Sequence, residues 1–383
     1  MGETVPLSAA SALTAGRLRG RPPHEVHVVV GLSGGVDSSV AALELVRAGF
    51  RVSALFMKNW NEPTPDGHCR WEDDVADALE VSEKLDIPLN TVDLSAAYWE
   101  GVFSDFLAEY ARGRTPNPDV LCNREVKFKA FIDAVREVGG DAVATGHYAR
   151  IRHAPDGHLL LKGLDGNKDQ SYFLHQLSQA QLDWAMFPVG ELPKAEVRAR
   201  AKAADLPTHD KKDSTGICFI GEQPFRAFLS KFLPAQQGDI RTLDNRVVGH
   251  HPGVIYYTLG QREGLGIGGV KGAVEGPWFV VRKDVPNNVL YVAQGHDHPA
   301  LQSRWLEADP VHWIAGSPPP TPFRCMAKTR YRQPDQACVV ERAAKGYVRV
   351  VFDQPQRAVT PGQSVVFYQD EVCLGGGVID RTG

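Results

Sequence analysis

Val26-His27-Val28-Val29-Val30-Gly31-Leu32-Ser33-Gly34-Gly35-Val36-Asp37-Ser38 runs from a β-branched stretch through a glycine pair into residues whose apolar positions, Val36, Val40 and Leu43, recur at helical spacing. A β-branched run interrupted only by His27 suits a strand buried on both faces of a parallel sheet. Gly49 supplies a helix stop, and 52–57 reads as a second buried strand, so the start is a βαβ unit. Farther on, Val75, Leu79, Ser82 and Leu85 predict a helix and 89–92 a strand. Trp99, Val102, Phe103, Phe106 and Tyr110 predict an amphipathic helix. Phe128, Phe131, Ile132 and Val135 predict another, leading to a strand at 142–144. This alternation gives an α/β fold with a doubly wound parallel sheet. His147, after Thr145-Gly146, ends the last strand, where the ligand crevice of an open sheet lies.

Past about residue 210, Gly, Pro and short alternating runs such as 254–257 and 278–281 replace long helical patterns. From about 300 the segments 339–341, 347–352 and 364–368 are spaced by turn residues, as in a small barrel. The expected division is a flexible tail at 1–24, an α/β domain at 25–210, a small, mostly-β central domain at 211–299 and a C-terminal β-barrel at 300–383. With 383 residues, 43% hydrophobic and 23% charged, the chain has the composition of an ordinary globular protein. A net charge of −4 excludes a surface that is basic throughout, so nucleic-acid contact has to come from a local patch. Arg324, Lys328, Arg330 and Arg332, with Tyr331 among them and no acid, form such a stretch; a solvated barrel face is the plainer reading of it. Six thinly spread cysteines suggest a reducing compartment, and no apolar run reaches membrane-span or signal-peptide length. The expected location is the cytoplasm, with no membrane association.

Between strand and helix, backbone N–H groups and the helix dipole favour an anion. The loop has neither the GKS of a Walker motif nor a GxGxxG pattern, which excludes two common nucleotide folds. Its SGGxDS string resembles the pyrophosphate loop of the N-type ATP pyrophosphatases, the PP-loop enzymes. That resemblance implies ATP held by Gly31, Leu32, Ser33, Gly34, Gly35, Val36, Asp37 and Ser38, with Mg²⁺ on Asp37. A glycine pair alone would be only a tight turn.

Six further stretches narrow the reading. They are Phe56-Met57-Lys58-Asn59-Trp60, Gly113-Arg114-Thr115-Pro116-Asn117-Pro118-Asp119, Leu121-Cys122-Asn123, Ala144-Thr145-Gly146-His147-Tyr148, Lys168-Asp169-Gln170-Ser171-Tyr172-Phe173-Leu174 and Asp213-Ser214-Thr215-Gly216-Ile217-Cys218-Phe219-Ile220-Gly221. Together they resemble the bacterial tRNA 2-thiouridylase family, from about residue 26 to Leu374-Gly375-Gly376-Gly377. The resemblance implies ATP-dependent adenylation of the C2 oxygen of a wobble uridine in tRNAs for Lys, Glu and Gln. Sulfur transfer to give 2-thiouridine follows. It implies Met57 and Gly146 at the adenosine, and Asn117, Pro118 and Asp119 at the target base. His147, Lys168, Asp169, Gln170, Arg330, Tyr331 and Gln363 would contact the anticodon arm. Cys218 would carry the persulfide and Cys122 would act as nucleophile, the two forming a transient disulfide, with Asp119 as an acid or base. A cysteine desulfurase or sulfur-relay protein would be the donor.

The chemistry needs these residue types. Adenylation turns a poor leaving group into AMP, a persulfide delivers nucleophilic sulfur, and a second thiol releases it. Two cysteines this far apart are ordinarily unrelated core thiols, but Cys122 follows Asp119 in a Pro-rich loop, and Lys211 and Lys212 precede Cys218. Cys325, Cys338 and Cys373 read as structural, and Cys69 beside His68 as a weak metal-site lookalike. The rivals are an amine-using adenylating enzyme of the same fold, such as argininosuccinate, GMP or lysidine synthetase, and a nonenzymatic RNA-binding protein.

Overall fold

The structure, a computed structural model, describes residues 18, 20–61, 67, 69–154, 157–213, 225–267, 276–344 and 346–383. Cys218, His68 and most of the 1–24 tail lie outside them.

Five parallel strands form the first sheet: β1 His27–Gly31, β2 Arg51–Lys58, β3 Leu89–Asp93, β4 Ala142–Ala144 and the short β7 Ala185–Met186, in the order β3-β2-β1-β4-β7. Val28, Val29 and Val30 are fully buried, as a strand covered on both faces requires. Strand order reverses between β1 and β4, and the loops leaving both strands open into the crevice there. Helix α1 (Val36–Arg47) starts in the first of these loops, and α2 (Arg70–Leu85) packs beside it.

Two long helical runs follow, neither of them plain α-helix. One joins α3 (Ser95–Tyr98), a π-helical turn at Trp99–Phe103 and α4 (Ser104–Ala111). The other joins α5 (Pro118–Leu121), a π-helical stretch at Cys122–Ala130 and α6 (Phe131–Glu137). A π turn inserts a residue and shifts the register of what precedes it. Trp99, expected on the buried face, is therefore 42% exposed, with its ring stacked on Trp60 at 5.9 Å.

The hairpin β5 (Ala149–Ala154) and β6 (Gly157–Lys162) leaves the first sheet altogether. After it come α7 (Ser171–Leu174), α8 (Gln179–Trp184) and α9 (Lys194–Ala203). Helix α10 (Phe225–Phe232) precedes a four-stranded sheet of β8 (Gly238–Thr242), β9 (Val247–His251), β10 (Trp278–Asp284) and β11 (Val289–Gln294), in the order β10-β11-β8-β9. Residues 254–257, expected to be extended, instead begin with a 3₁₀ turn at Val254–Tyr256 that buries Val254 and Tyr256.

A six-stranded barrel ends the chain. Its strands are β12 (Gln302–Trp313), β13 (Phe323–Lys328), β14 (Gln336–Ala344), β15 (Tyr347–Arg357), β16 (Ser364–Gln369) and β17 (Val372–Thr382), and it closes by pairing β12 with β17. The β5–β6 hairpin extends its sheet, with Leu160 and Leu161 opposite Cys373 and Val372. One apolar core therefore runs from Val29, Phe131 and Val143 through Leu160 and Tyr172 to Val366 and Tyr368. Cys325, Cys338 and Cys373 are buried on barrel strands, as expected of structural thiols.

Candidate active site

Gly34 takes φ +70, and a β-carbon on it would stand 2.3 Å from the Asp74 carbonyl oxygen, so only glycine lets the loop turn against α2. The Ser38 hydroxyl lies 3.1 Å from that of Ser33, accepts from the Ser33 N–H and donates to the Gly35 carbonyl at 3.0 Å. Gly146, leaving β4, lies flat on this loop: a β-carbon there would come within 2.6 Å of the Ser38 nitrogen. Met57, at the end of β2, brings its terminal methyl to 3.1 Å from where a β-carbon on Gly31 would stand. Loop, Met57 and Gly146 thus meet at the carboxyl ends of β1, β2 and β4, in the crevice the topology opens.

Asp37, in the first turn of α1, is held from outside the motif. The Tyr148 hydroxyl donates to it at 2.7 Å, and the Lys194 ammonium reaches its two oxygens at 2.7 and 2.8 Å. Lys194 also meets Asp213 at 2.7 Å, and Asp213 in turn takes Lys168 at 2.6 Å and Arg198 at 2.9 Å. Burial pushes the Asp213 carboxyl up, yet the hydrogen bonds from Lys168 and Lys194 outweigh it and bring its pKa to about 2. Burial and the neighbouring Asp37 push the Tyr148 phenol up, so that it stays a donor. Lys194 and Arg198 escaped the sequence reading because they approach Asp37 and Asp213 from a helix that carries no recognisable string. As arranged, Asp37 does not fit the expected Mg²⁺, since an ammonium already occupies both oxygens and would repel a divalent cation.

The second half of the site starts at Asn117, whose side chain caps α5 by accepting from the Asp119 N–H at 3.2 Å, with Pro118 at the first helical position. Cys122 follows, fully buried among Trp60, Phe103, Phe106, Val126 and Phe228. All three domains clamp the approach to it. The Arg114 guanidinium donates to Glu109 at 2.6 Å, Asp380 at 2.7 Å and the Ile379 carbonyl at 3.1 Å. Thr115 donates its N–H to the Pro361 carbonyl and shares a hydroxyl contact with Thr258 at 3.2 Å. The Gln363 amide donates to the Thr115 carbonyl at 2.7 Å.

Gln363, expected against tRNA, is therefore engaged inside the protein. So is Asp169, only 4% exposed, which accepts from the Gly163 and Ser171 N–H groups and lies 3.6 Å from Lys328. Gln170 pairs with the Tyr148 backbone. Within the basic stretch Arg324 pairs with Asp353, Tyr331 packs on Phe173 at 4.4 Å, and Arg330 donates to the carbonyls of Leu259 and Ala358. Buried His147 meets the Thr145 hydroxyl at 2.7 Å; burial, then the Lys127 charge, pushes its pKa well below the ordinary imidazole value, so it is neutral at pH 7. Lys211 is held between Asp74 and Asp77 on α2.

Although Cys218 lies outside the described residues, both ends of its segment are fixed. Asp213 sits in the Lys168–Lys194–Arg198 cluster beside the loop, whereas Phe225 packs against Tyr110 at 5.4 Å and Phe228 joins the aromatic cluster around Cys122.

Family models match three stretches. One described as "tRNA methyl transferase HUP domain" covers 26–222, the "tRNA methyl transferase PRC-barrel domain" covers 226–294 and the "Aminomethyltransferase beta-barrel domain" covers 303–379. The chain is 58% identical over 355 residues to the "tRNA-specific 2-thiouridylase MnmA" of Xanthomonas euvesicatoria, covering 93% of this chain and 94% of that one. It is likewise 58% identical over 353 residues to the protein of the same name from Francisella tularensis subsp. novicida, at 92% and 98% coverage.

Proposed function

The chain belongs to the family of tRNA-specific 2-thiouridylases, and from that premise we propose that it uses ATP to activate a wobble uridine of tRNA and exchanges its C2 oxygen for sulfur. The uridine oxygen attacks the α-phosphorus of ATP and pyrophosphate leaves. The outer sulfur of a persulfide on Cys218 then attacks C2. The Cys122 thiolate attacks Cys218 Sγ, breaking the S–S bond so that the outer sulfur stays on C2. AMP departs with the original oxygen, and a dithiol reductant resets the resulting disulfide with two electrons. Asp119, three residues before Cys122, serves as acid or base, and a cysteine desulfurase or sulfur-relay protein loads Cys218 in the cytoplasm.

The observation that supports this most strongly is where the described residues on either side of the Cys218 segment are held. Its first end is pinned beside the phosphate loop through Asp213, and its second packs in the cluster that buries Cys122.

The test uses an enzymatic, radiolabelled persulfide donor at low free sulfide, with ATP and tRNA. Cys218→Ser is expected to release pyrophosphate but load no sulfur; Cys122→Ser is expected to load sulfur and hold it. Near wild-type thiolation by Cys218→Ser would end the relay.

A further inference from the structure

Most cations of the barrel and its neighbours are closed by carboxylates: Arg324 by Asp353, Arg349 by Glu307, Arg150 by Glu371 and Lys162 by Asp335. The turn at 257–262 differs. It lies on the seam between the central domain and the barrel, and five cations gather on it, none meeting a carboxylate among the described residues. Arg226 bonds the Tyr257 hydroxyl, and Lys283 donates to the Tyr257 carbonyl at 2.6 Å. Arg262 belongs to the turn itself and is exposed. Arg330 Nη2 donates to the Leu259 carbonyl at 3.4 Å. Arg357 lies over the Phe279 ring at 5.0 Å and donates to the His296 carbonyl, while its Nη2 is buried without a hydrogen-bond partner.

Gly260 stands where two guanidiniums converge. A β-carbon on it would be 3.4 Å from Arg357 Nη1 and 3.6 Å from Arg330 Nη2. Its φ of +79 and the Ala358 methyl, 2.7 Å from the same point, make glycine obligatory here. Like charges this close repel, and carbonyl oxygens offset the repulsion only in part. Of the nearby acids, Glu263 is exposed and Asp284 accepts from Asn287.

We propose that the 257–262 turn, with Arg226, Lys283, Arg330 and Arg357, forms a cradle for backbone phosphates of the tRNA substrate, extending the RNA path off the barrel and onto the central domain. This rests on the tRNA reading above. The class follows from the donors, several separated cations, which suit a phosphodiester chain. Position also fits. Thr258, inside the turn, touches Thr115, seven residues before Cys122, so a strand lying in the cradle passes the segment that carries the nucleophile.

The experiment measures tRNA affinity against salt for the full-length protein and for Arg226→Ala, Arg262→Ala, Arg357→Ala and Arg357→Lys, with Arg47→Ala on α1 as control. ATP affinity and melting temperature are followed in parallel. Each alanine variant at the cradle is expected to bind severalfold more weakly and to lower the log–log salt slope by about 0.7 to 1. Arg357→Lys should recover part of the loss. The loss should be equal for a tRNA lacking the target uridine, because phosphate contacts carry no base information. Affinity and slope unchanged in the two exposed variants, Arg226→Ala and Arg262→Ala, would overturn the cradle while leaving tRNA as substrate. A wild-type protein that fails to bind tRNA at all would overturn both. If Arg357→Ala unfolds, those two exposed variants still decide.

Discussion

Around Asp37 and Asp213, Lys168, Lys194 and Arg198 close on carboxylates; around the 257–262 turn no cation does so among the described residues. At the first place Lys194 bridges Asp37 and Asp213 while Lys168 and Arg198 hold Asp213, which fixes each side chain without help from a ligand. At the second, cations lean on carbonyl oxygens and one guanidinium nitrogen is unpartnered. Groups that position a reacting phosphate must be rigid beforehand, because catalysis gains from donors already in place. Groups that grip a long polyanion gain more from charge left unneutralised, because counterion release drives the binding.

The contrast breaks first at Lys194. Lys194→Ala leaves the Asp37 carboxylate uncompensated against the phosphate loop, and tRNA-dependent AMP formation is expected to fall about 100-fold. tRNA affinity should stay within a factor of two. AMP release at the wild-type rate would reduce the cluster to a scaffold.

A smaller effect is expected at the clamp before Cys122. Arg114→Ala removes the partner of Glu109 and Asp380 and lets the loop drift, so turnover should drop about tenfold with little change in tRNA affinity. Stability should fall by about 1 to 3 kcal/mol. A KM increase with turnover intact would instead make the loop a binding element.

Smallest is a pH effect at Lys283, whose burial lowers its pKa to about 8, below its unfolded value. Between those two values the unfolded chain binds more protons than the folded one, so stability should rise as pH climbs through that window. tRNA binding should weaken over the same range, because the phosphate partner is the charged ammonium. Lys283→Met should flatten both curves in thermal melts and binding titrations run from pH 7 to about 10.

What could be read from sequence was local. Val28 to Val30, the glycine pair and α1 announce themselves within a dozen residues, and barrel strands show as alternating runs between turns. What was illegible is long-range. Lys194 reaches Asp37 across 157 positions, and the π turns that displace Trp99 leave no period in the sequence. The burial of Cys122 depends on α10 arriving from another domain. Resemblance to the family places Gln363 and Asp169 against RNA, and only packing reveals the carbonyl and N–H groups that they also engage.

The hairpin that leaves the first sheet sets a timetable for synthesis. β6 emerges from the ribosome some 210 residues before Val372 and Cys373, the residues it pairs with. At ordinary elongation rates the free edge waits roughly 10 to 40 s for its partner strand. During that interval Leu159, Leu160 and Leu161 present an open, apolar strand to any other nascent chain. The N-terminal domain therefore finishes folding last at the very place where it was made early, and a ribosome stalled before the barrel would release a protein prone to pair with its own copies.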